Sequence, residues 1–165
     1  MKRIVGGKPS HKAKSSRQER KMPVVAMVQR DGPARATPTK TLSTAALTSM
    51  VQRHVDMDAK LMTDEFKSYY GLDRLYDGRE SVKHSAREYV RGNVHTNTVE
   101  SFFALLKRGI MGSYHHVSRK HLSRYCDEFA FRWSHRDISD AERTTAALQQ
   151  TTGKRLPYQK VIGLN

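Results

Sequence analysis

The chain has a single cysteine, Cys126, which excludes an intrachain disulfide and a cysteine-based zinc ribbon. Its eight histidines lack the paired spacing of a zinc site, so a metal held here is expected to be a hard ion on carboxylates. Tryptophan is limited to Trp133 and apolar residues to 37% of the chain, which makes for a lean core. No run approaches the roughly eighteen consecutive apolar residues of a membrane helix. The opening MKRIVGGKPSHKAK carries charge without an apolar stretch and does not read as a secretory signal, so a cytoplasmic protein is expected. Acids are scarce as well, 16 against 30 Lys and Arg, for a formal net charge of +14.

Positive charge is what the chain has in abundance, and its placement is uneven. Residues 1–40 hold eleven Lys or Arg against Glu19 and Asp31. A polyanionic partner bound through its phosphates fits this surplus, with a strong dependence on salt. A solvated basic tail has the same composition, and charge alone does not separate DNA from RNA. At 165 residues the chain suffices for one domain with a real core.

Residues 1–5 read as the tail of a strand ended by Gly6-Gly7, and 8–21 as a basic loop without periodicity. Pro23 opens the buried-strand run VVAMV, and Arg30-Asp31-Gly32-Pro33 is a strong turn, so residues 34–39 are expected to return as the second arm of a hairpin. Leu47, Met50, Val51 and His54 follow a helical period behind a cap at Ser43 or Thr44. Lys60 to Thr63 reads as a short strand with Asp64 at its carboxyl end. Residues 65–72 read as a helical turn with Phe66, Tyr69 and Tyr70, stopped by Gly71, and Ser81 to His84 as another strand.

Two amphipathic helices follow. Val99, Phe102, Phe103, Leu106 and Ile110 share one face of the first, and Glu100 and Lys107, close to two turns apart, point the same way at the border of that stripe. Two readings of Glu100 stand at this point. It closes a capping box with Asn97 at the helix start, leaving Lys107 a solvated residue, or it is a metal ligand with Lys107 as a phosphate contact beside it. The second helix is expected over Ser118 to Ser134 with Ser118 as its cap. Leu122, Tyr125, Cys126, Phe129 and Trp133 form its apolar stripe, with Cys126 as a small buried hydrophobe. Asp127 and Glu128 are expected to pair with Arg124 and Arg132 along that helix. Residues 141–150 remain compatible with a further helix.

The stretch His95 to Gly109 (HTNTVESFFALLKRG), the run Gly112 to Leu122 (GSYHHVSRKHL) and the segment Glu128 to Arg132 (EFAFR) resemble the end of the catalytic domain of DDE transposases of the IS1595 group, the ISXO2-like transposase domain. The resemblance extends upstream through Val5-Gly6-Gly7-Lys8, Pro23 to Gly32, Thr63-Asp64-Glu65 and Tyr69 to Leu72, and so covers nearly the whole chain. It implies an α/β fold, an RNase H-like mixed sheet flanked by helices, with the first strand truncated and extra C-terminal helices. The strand and helix order read above agrees. A catalytic domain at 1–136 and a C-terminal extension at 137–165 follow.

That resemblance implies cleavage of phosphodiester bonds and DNA strand transfer with two Mg²⁺ or Mn²⁺ ions, which carboxylates hold about 4 Å apart. Asp64 and Glu100 would be metal ligands, Lys107 would touch phosphate at the transposon end, and Lys8, Lys12, Lys14, Arg108, His115, His116, Arg119 and Lys120 would hold DNA. Polar packing or phosphate contact is expected of His95, His115, His116 and His121, and Tyr114 could stack on a base. A homo-oligomer is also implied. The first of the family's three acids falls five positions ahead of the Gly-Gly pair, which is Met1 here. Impaired strand transfer is therefore expected. A non-catalytic nucleic-acid-binding remnant and an RNase H-like nuclease without strand transfer are the alternatives.

Overall fold

A computed structural model describes residues 3–5, 21–76, 78–81, 90–91 and 94–157. Strands β1 (Arg3–Val5), β2 (Lys21–Val28) and β3 (Ala34–Pro38) form an antiparallel sheet with β2 in the middle. The β2–β3 hairpin closes at the expected turn. Asp31 takes the left-handed conformation at φ 52°, and the Gln29 N–H bonds the Pro33 carbonyl at 3.0 Å.

Helix α1 (Thr44–Gln52) starts at Ser43, whose hydroxyl accepts from the Ala46 N–H, as expected of a serine cap. It ends before His54, which is exposed and not on a helical face. Strand β4 (Met62–Thr63) lies parallel to β5 (Glu80–Ser81), and β6 (Val90–Arg91) forms a small antiparallel ladder with β7 (Val94–His95). Both β4 and β5 lie against β7. Helices α2 (Asn97–Arg108), α3 (Leu122–Ser134) and α4 (Asp140–Gln149) complete the order, with a π-helical turn over Gly109–Tyr114. Among the described residues no helix is long and apolar enough to cross a membrane.

The alternation of β2 organises two cores. Val24 is fully buried and Met22, Ala26 and Val28 partly so, against Phe102, Phe103, Leu106 and Ile110 on one side of α2 and Leu122, Cys126 and Phe129 on α3. Helix α2 runs along β2 and α3 along β3. Met27, on the opposite face of the pleat, packs with Val51, Leu72 and Tyr76 beneath α1. The buried Tyr76 hydroxyl donates to the Val55 carbonyl at 2.9 Å, so the end of α1 is tied to this second core. Two polar links pin the end of α3 to the hairpin: Ser134 Oγ accepts from the Ala34 N–H at 3.1 Å, and Arg136 Nη1 donates to the Gly32 carbonyl at 3.1 Å.

Several boundaries differ from the sequence expectation. The helical turn expected over 65–72 is a 3-10 helix, Lys67–Arg74, which passes through Gly71 instead of stopping there. A Cβ at Gly71 would stand 2.3 Å from Thr44 Cγ2, so this glycine is needed for close approach to α1. The N-terminal boundary position of α2 is Thr96, not Asn97, and α3 begins at Leu122, not behind Ser118. The Ser118 carbonyl instead accepts from the His121 N–H in a turn that leads into the helix. Of the strand expected over 81–84, Ser81 belongs to β5 and the remainder lies outside the described residues. The basic loop 8–21 does too, apart from Lys21.

Gly109 sits where α2 meets α3. A Cβ there would come within 1.8 Å of Phe129 Cζ, at the centre of the main core. Gly109→Ala is expected to destabilise the fold by about 1–3 kcal/mol in urea unfolding, because Phe129 must shift. Gly112→Ala, where nothing lies within 4 Å, is expected to leave stability unchanged or slightly raised.

Candidate functional site

Asp64 leaves β4 and Glu100 lies in the first turn of α2, five residues beyond β7. Because β4 lies against β7, the segments that carry the two acids start from neighbouring strand ends. Both residues are half-buried. Asp64 Oδ1 accepts from the Phe66 N–H at 3.2 Å, and the Thr63 hydroxyl donates to the Asp64 carbonyl at 3.0 Å. Glu100 accepts at Oε1 from the Thr96 hydroxyl at 3.3 Å, while its N–H reaches the Thr96 carbonyl at 3.0 Å. The helix starts behind Thr96, whose side chain makes no capping bond to the helix backbone, so the first of the two readings of Glu100, a capping box with Asn97, does not describe this helix start. The Thr96 hydroxyl is spent on the Glu100 carboxylate instead.

Lys107 is half-buried on the same side of α2 as Glu100, separated from it by the buried Phe103. Arg108, Arg119 and Lys120 are exposed along the α2–α3 connection and give it a basic rim, with His115 and His116 exposed between them. His115 adopts a positive φ of 54°, and its Nδ1 lies 3.1 Å from the Met111 carbonyl. Lys8, Lys12 and Lys14 lie outside the described residues, as does the side chain of His95.

Beside the rim, Tyr114, His121, Arg124, Tyr125 and Glu128 line a cleft of about 470 Å³. Tyr114 packs edge-on against Tyr125 and donates its hydroxyl to Glu128 at 2.9 Å, so its ring is already engaged. The bond to Glu128 and, after it, burial push the Tyr114 phenol above its usual range. Glu128 also takes Arg132 in an ion pair at 2.8 Å, as the sequence suggested. Asp127 instead has Arg35 of β3 as its nearby cation, and burial raises its carboxyl. The Cys126 thiol is buried and pushed up to about 12, chiefly by burial and then by Asp127, which fits a packing role and not a nucleophile.

Asp64 has a second neighbourhood that sequence reasoning missed. Burial, then the charge of Asp64, push the Tyr69 phenol far above its usual range, with Arg79 opposing. Arg79 also bonds Thr63, one residue ahead of the acid. A lone arginine in Gly78-Arg79-Glu80 carries no pattern that would have singled it out.

Among the described residues no group of three or more His, Cys, Asp or Glu gathers around a common point. Asp64 and Glu100 are hard oxygen donors of the kind that suits one Mg²⁺ or Mn²⁺ ion completed by water. A second ion calls for a further acid, and Met1, where the resemblance puts it, lies outside the described residues.

The architecture is therefore that of a mixed α/β domain with one acid at the end of β4, a second on the helix that follows β7, and exposed basic residues along the α2–α3 connection. The chain belongs to the ISXO2-like transposase domain family, which matches residues 3–134. It is also similar to a protein described as an uncharacterized protein in transposable element ISH50 of Halobacterium salinarum. The two are 32% identical over 117 residues, which cover 69% of this chain and 39% of the relative. The chain thus corresponds to well under half of that relative's length. No solved structure matches.

The Tyr114–Glu128 bond makes a testable contribution. Tyr114→Phe is expected to lower stability by roughly 1 kcal/mol at neutral pH, measured by urea unfolding. The raised phenol pKa means that this contribution is complete below the ordinary tyrosine range. It is lost as pH rises through the folded value.

Proposed function

We propose that this chain is the catalytic domain of an insertion-element transposase, acting on DNA phosphodiester bonds with Asp64 and Glu100 as ligands of Mg²⁺ or Mn²⁺. The observation that carries the reading is the departure of the two acid-bearing segments from neighbouring strand ends, within a chain of the ISXO2-like transposase family. An antiparallel three-stranded unit, a parallel pair and helices on both faces of β2 support an RNase H-like arrangement.

The residues divide the work by chemistry. A bound divalent ion would supply a deprotonated water and neutralise charge at phosphorus. Thr96 fixes the Glu100 carboxylate through its hydroxyl, and the Phe66 N–H does the same for Asp64. Lys107 offers an ammonium for a phosphate oxygen on the Glu100 side of α2. Arg108, Arg119 and Lys120 neutralise backbone phosphates farther along, with His115 and His116 as further polar contacts between them.

A non-catalytic DNA-binding remnant is the rival, and it is favoured by the lack of any group of three or more metal-binding side chains among the described residues. Calorimetric titration with MnCl₂ and fluorescence anisotropy with duplex DNA separate the two. For a catalytic domain, Asp64→Asn and Glu100→Gln each weaken Mn²⁺ binding by about tenfold or more, while DNA affinity in the absence of metal stays near that of the parent. For a remnant, neither variant alters Mn²⁺ binding, and DNA affinity is indifferent to Mg²⁺.

The rim carries its own expectation. The double variant Arg119→Ala/Lys120→Ala should weaken duplex binding uniformly across sequences and flatten the salt dependence by about two phosphate equivalents, as read from a plot of log affinity against log salt concentration.

A further inference from the structure

Arg79 stands immediately ahead of β5, on the parallel neighbour of the strand that leads to Asp64. Its guanidinium is nearly buried, with the side chain 6% exposed. Nε donates to Thr63 Oγ1 at 3.2 Å, and the Thr63 hydroxyl passes its own proton on to the Asp64 carbonyl at 3.0 Å. This is a consistent relay, because a hydroxyl has one hydrogen to give and lone pairs left to accept. Nη1 pairs with Asp73, and the guanidinium carbon lies 5.6 Å from the centre of the Tyr70 ring. Nη2 is buried without a hydrogen-bond partner among the described residues.

We propose that Arg79 is a positioning residue for Asp64, acting through the Thr63 hydroxyl to fix the peptide from which the Asp64 side chain departs. The inference rests on the reading of Asp64 as a metal ligand. Two physical arguments support it. Enclosing a guanidinium while one of its N–H groups stays unmet is unfavourable, and apolar residues could join β4 to β5 without that penalty. The ladder itself is also short among the described residues, where β4 and β5 pair Met62 with Glu80 and Thr63 with Ser81. So short a ladder does little to hold the direction of the chain just beyond it, and a planar fork bonded on two edges supplies what is missing. Lysine, a single point charge on a flexible stem, cannot bond Thr63 and Asp73 in the same fixed plane.

The test is a double-mutant cycle on the full chain, read by titration with MnCl₂ alone and by thermal unfolding. Arg79→Gln and Thr63→Val should each weaken Mn²⁺ binding about tenfold. The double variant should be no weaker than the worse single one, since both cut the same relay. Arg79→Lys should keep the thermal midpoint closer to the parent than Arg79→Gln does, yet leave Mn²⁺ binding weakened. If Arg79→Gln fails to fold, Thr63→Val, nearly equal in volume, decides the question alone. The proposal is overturned if Thr63→Val binds Mn²⁺ within twofold of the parent while Asp64→Asn loses it, or if the losses from the two singles simply add. Should Asp64→Asn itself bind Mn²⁺ like the parent, the metal-ligand reading fails, and the role of Arg79 with it.

Discussion

The burial of β2 on both faces is the constraint from which the rest of the structure follows. One face, through Val24 and its alternate neighbours, meets α2 and α3, and the other, through Met27, meets α1 and the 3-10 helix. A strand covered on both sides can shift by one residue only if every side chain exchanges cores. The register of β2 therefore also sets the height of α2 along the sheet, and with it the position of Glu100. The links from Ser134 and Arg136 to the hairpin lock the far end of the same layer.

Glycines at the contacts between elements matter in this lean chain as much as large side chains do. Gly71 lets the 3-10 helix close on Thr44, and Gly109 lets α2 end directly over Phe129. Edge-on packing of Phe102 against Trp133, at 5.8 Å, adds a directional contact between α2 and α3 where aliphatic residues are few. The two helices that carry the acid and the cationic rim are thus fixed to one another by close contact near the π-helical turn.

What could be read in the sequence was what the chain determines locally. The hairpin depends on four consecutive turn residues, and the Ser43 cap on one hydroxyl three residues from the N–H that donates to it. Both stand where the residues implied, and so does the apolar face of α2. The misplaced boundaries were set by contacts remote in sequence or by competing uses of a side chain. Gly71 looked like a helix stop because its conformational freedom is a local property, whereas its actual role is room for Thr44. Ser118 looked like a cap, but its carbonyl closes a turn. Thr96 displaced Asn97 at the start of α2 and directs its hydroxyl to the carboxylate. Of the candidate site, Asp64 and Glu100 are named by the family resemblance and not by any local pattern. The Arg79–Thr63 relay was not, since it joins two strands that pair through their backbones.

The shortness of the β4–β5 ladder has a consequence for how the acid-bearing strand end behaves on its own. Among the described residues the ladder supplies two residue pairs, against five between β2 and β3, so that corner is expected to open at a lower free energy than the sheet centred on β2. A ligand that grips Asp64 would then do part of its work by suppressing those excursions. Its apparent affinity would carry an ordering penalty that a stiffer neighbourhood would have removed in advance.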